Sequence, residues 1–200
     1  MMNTIKRLIT ITAALAAWAV FPLTLGAVTS HACACGKATA ASYSWNFRQE
    51  ADSIFKDFQA DAQQFTSDAA TLQSFTDDPN ITWQVDVGQL NALKSDVNDM
   101  GQKLCRLETI RRVVAPWQQD AIDRIAANLP LMADNTRDAI LFVNAHQLDL
   151  VNPTYQRYAD NLYWEGHGLT RSATDAVEYA KVLGEYHELR GELGVGPRPS

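Results

Sequence analysis

The sequence predicts an all-α protein: an up-down-up-down four-helix bundle with a broken fourth helix, following an N-terminal signal peptide. Three observations predict it. From Ser42 onward, apolar residues recur at spacings of three and four, the signature of one buried helix face. No period-2 run of β-branched residues interrupts them, so no sheet is indicated. Prolines fall where one amphipathic segment must end and the next begin.

In the first segment the predicted core positions are Phe47, Ala51, Ile54, Phe58, Ala62, Phe65, Ala69 and Leu72. The extra spacing of four between Phe58 and Ala62 reads as a stutter, which relaxes left-handed supercoiling. Asn46 with Gln49 resembles a capping box. Asp77-Asp78-Pro79-Asn80 ends the segment, because a residue before proline is pushed out of the α region.

The second segment is expected to begin near Asp86. Its stripe is Val87, Leu90, Leu93, Val97, Met100, Leu104, Leu107, Ile110 and Val114, with Cys105 on the flank. Val114-Ala115 is the expected turn, since Pro116 suits the first position of a new helix, where its missing N–H is no loss. The third segment carries Trp117, Ala121, Ile122, Ile125, Leu129, Met132, Ala139, Ile140, Val143 and His146. Its stripe stays in phase across Pro130, which predicts a kinked helix there and not a loop.

Asn152-Pro153 supplies a cap and a first-turn proline for the fourth segment. Tyr155, Tyr158 and Leu162 pattern its first piece. Tyr179, Val182, Tyr186, Leu189 and Leu193 pattern the second, as core. Gly166-His167-Gly168 is expected to separate the two.

The leader sets the cellular address. Lys6 and Arg7 precede an uncharged run from Leu8 to Leu25, and Ala32-Cys33-Ala34 offers the small-x-small pattern of a cleavage site. The expected organisation is a signal peptide at 1–34, a bundle domain at 35–191 and a disordered tail at 192–200. Retention of the run as a signal anchor is one alternative, against which Pro22 interrupts it; cleavage after Ala32 is another, as is lipidation of Cys33 or Cys35, although Ser30 and Ala32 stand where a lipoprotein leader usually has Leu. The remaining chain, about 166 residues, is one domain with a proper core. It is expected in the periplasm or outside the cell, with no membrane span after leader removal. In that oxidising setting Cys35 and Cys105 are the expected disulfide pair.

Losing Lys6 and Arg7 leaves 15 basic against 23 acidic residues, a net charge of −8. Phosphate neutralisation needs clustered cations, and Arg111-Arg112 is the densest basic spot. Nucleic acid is therefore not an expected partner.

Cofactor and catalytic signatures are sparse. Covalent haem needs Cys-x-x-Cys-His, which is absent. A di-iron bundle needs Glu-x-x-His twice, but Val143, Trp164 and Gly184 stand three places before His146, His167 and His187. Met100 and Met132 lie in apolar stripes, where core filling is the usual role. No Gly-x-Ser-x-Gly elbow or Gly-rich phosphate loop occurs. Asp57, Asp61 and Asp68 read as a solvated helix face.

One constellation stands out. Tyr163 and Trp164 precede His167, which is flanked by two glycines in the expected helix break. Aromatic side chains beside a polar loop can form a ligand pocket. The sequence thus predicts an exported, non-enzymatic bundle with a binding or scaffolding role, no cofactor, and a protein or small-molecule partner. A periplasmic cofactor- or metal-binding bundle is the alternative.

Overall fold

A computed structural model describes residues 46–194. The leader, Cys33, Cys35 and the tail from Val195 lie outside the described residues, and with them the signal-peptide expectation and one half of the expected disulfide.

Four helices pack against one another: α1 (Phe47–Thr76), α2 (Trp83–Ile110), α3 (Pro116–Ala145) and α4 (Pro153–Glu192). A single 3₁₀ turn, Arg111–Val113, joins α2 to α3, so Val114-Ala115 is the turn that Pro116 implies. α1 packs on α2 and α4, and α3 completes the ring by packing on the same two. No strand occurs among the described residues.

The helix boundaries follow local chemistry. Asn46 Oδ1 accepts a hydrogen bond from Gln49 N at 3.2 Å, and Asn152 Oδ1 accepts from Thr154 N at 2.9 Å. α1 ends at Thr76, just before the Asp77-Asp78-Pro79 stop. At α3, Gln118 Oε1 reaches back to Ala115 N at 2.8 Å, while its Nε2 donates to Arg48 O and Asp52 Oδ1 of α1. This buried glutamine therefore satisfies three groups at once.

The core spacing is more regular than the sequence suggests. In α1 the buried residues are Ala51, Phe55, Phe58, Ala62, Phe65, Ala69, Leu72 and Thr76. Phe55 takes the place expected for Ile54, which sits half-buried on the flank. The alternation of three and four is then unbroken, and the expected stutter disappears. Comparable seven-residue repeats run through Asp86 to Leu107 in α2, Gln118 to Val143 in α3 and Tyr155 to Ala176 in α4. Repeats of that length match knobs-into-holes packing in a left-handed bundle. α3 runs as one helix through Pro130, and Met100 and Met132 are buried core residues.

Three expectations need correction. α2 starts at Trp83, not near Asp86, and Asp86 is instead buried within the helix. There Tyr155 Oη donates to Asp86 Oδ1 at 2.8 Å, a link between two helices that are not neighbours in the ring. Burial pushes the Asp86 carboxyl above its ordinary range and outweighs the bond from Tyr155, which acts to lower it.

The fourth helix is not broken. α4 is continuous for 40 residues, and Gly166-His167-Gly168 lies inside it. Gly166 is buried, and a Cβ there would come within 2.9 Å of Thr66 Oγ1 and 3.0 Å of Phe65 Cδ1. This glycine is a contact point between α1 and α4, not a hinge. Thr66 and Thr170 hydroxyls meet 3.1 Å apart beside it, and Gln59 donates to Thr174 at 2.9 Å further along.

Finally, the second stripe of α4 is not core. Tyr179, Val182, Tyr186, Leu189 and Leu193 are 51–76% exposed. The bundle is instead met by the neighbouring line through Leu169, Ala173 and Ala176.

Candidate functional site

Tyr163, Trp164 and His167 come together as expected, but on a helix surface and not in a loop. Positions i and i+4 share a helix face, which brings the Tyr163 and His167 rings to 4.6 Å, edge to face. Trp164 meets Tyr163 at 5.2 Å, again edge-on, and His167 at 6.1 Å. Tyr163 is half-buried against the core and anchors the group. Trp164 is 68% exposed. An indole left in water beside two other rings is a surface with unspent apolar area and one N–H donor.

The groove between α1 and α4 lies on the same side. One turn before Tyr163, Asp160 accepts from Gln73 Nε2 at 2.6 Å. Gln73, Ser74, Asp77, Gln156 and Asp160 line a shallow cleft of about 350 Å³. Its lining is amide, hydroxyl and carboxylate, so the groove is polar and the adjoining patch aromatic. The cleft and the aromatic patch are successive along α4, with Asp160 one turn before Trp164, and none of the three rings lines the cleft.

The other two described histidines lie away from this patch. His146 follows the last residue of α3, its Nδ1 3.0 Å from Phe142 O and its ring stacked on Phe142 at 4.2 Å. His187 is exposed and meets the Tyr186 ring edge-on at 5.7 Å. Among the described residues no group of three or more His, Cys, Asp or Glu is gathered where it could hold a metal ion. No described helix is long and apolar enough to cross a membrane.

One electrostatic feature was not legible in the sequence. Asp61 and Asp68 do not line a solvated face; both are half-buried and turn toward α2, while Asp57 is exposed. Asp61 pairs with Lys103 across the α1–α2 seam. Asp68 lies close to Asp96, whose Oδ2 is buried without a hydrogen-bond partner. Burial first, and then the Asp68 charge, raise the Asp96 carboxyl to about 6. The available signal was the heptad spacing of Asp61 and Asp68, which keeps both on one edge of the α1 stripe.

Comparison with protein-family models, curated proteins and solved structures gives no match for this chain.

Proposed function

We propose that the protein is an exported, non-enzymatic helical bundle with a binding or scaffolding role in the periplasm or outside the cell. Its recognition surface is the Tyr163–Trp164–His167 patch with the adjoining α1–α4 groove. The observation that carries this reading is Trp164, held 68% exposed by a rigid helix whose opposite face is fully committed to the core. Large exposed aromatic groups on a rigid element are the usual anchors of interfaces.

The test compares the chain with its Trp164→Ala/His167→Ala variant. Both residues are exposed, so thermal stability should change by no more than about 0.5 kcal/mol. Native envelope extract passed over each should yield a specific companion on the parent chain and at least a tenfold loss on the variant. Equal retention on both would remove the patch from the reading. An intense Soret band or stoichiometric metal in the purified chain would favour the cofactor-binding alternative instead.

The same reading includes up-down-up-down order, which an ion pair and a hydrogen bond between α1 and α2 support. Glu50 meets Arg106 at 2.6 Å, and Gln89 donates to Asp68 O at 2.9 Å, so positions ascend on one helix as they descend on the other. That register sets the start of α1 level with Cys105, which supports the proposed Cys35–Cys105 bridge. N-terminal sequencing of exported material should begin at or near Cys35. Thiol titration of that unreduced material after denaturation should find neither cysteine reactive; two free thiols would exclude the bridge.

A further inference from the structure

The outward face of the last turns of α4 is apolar: at its start Tyr179 meets the Trp117 ring of α3 at 5.0 Å, and from Val182 onward no helix lies against it among the described residues. Tyr179, Val182, Tyr186, Leu189 and Leu193 follow one another at spacings of three, four, three and four. That is an a/d seam, the pattern of a helix made to lie along another helix. At about 100° per residue, its centre lies roughly 130° around α4 from the line that meets the bundle. From Val182 onward, a helix laid on it would therefore clear α1 and α3.

We propose that this face is the seam of a parallel homodimer, in which a second copy of the chain lays the same turns of α4 alongside it. Two observations select that occupant. The first is charge. The positions flanking the seam are Glu178, Glu185 and Glu192 on one side and Leu183 and Arg190 on the other. In a parallel pair, Glu185 of one copy stands opposite Arg190 of the other, twice by symmetry. An antiparallel pair would set the glutamates against one another. Arg190 already sits at the seam edge, its guanidinium 5.6 Å from the centre of the Tyr186 ring.

The second is area. Side chains of these types, more than half exposed, give two copies on the order of 1,000–1,200 Å² to remove from water. This reaches the lower end of stable interfaces, the range of weak dimers. The seam is also pre-organised. The first six turns of α4 are fixed in the bundle, so little ordering cost remains for its end. The surface is distinct from the Trp164 patch, and the inference does not depend on what that patch binds.

Sedimentation equilibrium of the purified chain reads the result. At concentrations on the order of 100 µM the parent should have twice the chain mass. Val182→Glu/Leu189→Glu, at exposed positions, should weaken association at least a hundredfold with an unchanged helical circular dichroism spectrum. Glu185→Arg alone should weaken it about tenfold, and Glu185→Arg with Arg190→Glu should restore it. A parent monomeric throughout overturns the proposal. So does a dimer indifferent to Val182→Glu/Leu189→Glu, and failure of the double charge swap to restore association overturns the parallel arrangement.

Discussion

Phe65→Ala should lower the unfolding free energy by about 3–5 kcal/mol, the usual cost of deleting a fully buried phenyl ring. Phe65 has no exposed surface, and it packs under Gly166, the one position of α4 with no side chain at the α1 contact. A ring on one helix thus fills the space that a glycine leaves on the other. Collapse into the vacated space is opposed by the Thr66–Thr170 hydroxyl contact, 3.1 Å long, which ties α1 and α4 together at this spacing. The reciprocal change has the same origin. Gly166→Ala gains about 1 kcal/mol of helix propensity but must displace Thr66 or Phe65, a net loss of roughly 1 kcal/mol. With Phe65 already truncated, the new methyl has only Thr66 left to displace, so the double variant should lose less than the two losses together. Urea unfolding followed by circular dichroism measures all three. Additive losses would show that the ring and the glycine are not a matched pair.

That pairing also marks where sequence reading succeeds and where it stops. Three of the four helix starts could be placed from Asn46, Pro116 and Asn152-Pro153, because capping and proline geometry are local chemistry. The heptad stripes were legible for the same reason, since each is decided within one helix. Phe55 and Ile54 are adjacent and equally apolar, and their order in the core is decided from outside α1. The Trp117 ring of α3 lies 6.2 Å from Phe55 and fixes the choice. Gly166-His167-Gly168 reads locally as a break, whereas its first glycine answers a ring 101 residues earlier. Asp86 reads as a cap until Tyr155, 69 residues away, supplies its hydrogen bond. The last stripe of α4 announces an amphipathic helix but not what its apolar side meets. The aromatic site was legible as a cluster, since spacing alone brings Tyr163 and His167 together. Its placement on a rigid helix beside a groove depended on the same misread glycine.

Asp96→Asn should stabilise the protein at neutral pH by roughly 2 kcal/mol and by little at pH 4. The Asp96 carboxyl rises from an ordinary value of 3.8 to about 6, through burial in the α1–α2 seam and then through the charge of Asp68, a hydrogen bond with it, and the charges of Asp61 and Asp99. A carboxyl with a raised value binds its proton more tightly folded than unfolded. Its contribution to stability is therefore fully present below about pH 3.8 and is lost as pH rises through about 6. The full shift corresponds to about 3 kcal/mol, and partial exposure of the site reduces this to about 2. In acid, the proton on Asp96 can be shared with Asp68 across the seam. At neutral pH the two carboxylates face one another, and Lys103 is already engaged by Asp61. Asparagine keeps the shape and the donor without the charge. The difference in melting temperature between Asp96→Asn and the parent should therefore widen between pH 4 and pH 7 and then level off. Asp68→Asn should remove much of the same slope by withdrawing the opposing charge. A difference that stays constant across that range would mean that Asp96 ionises without cost, and that its buried oxygen is satisfied by solvent.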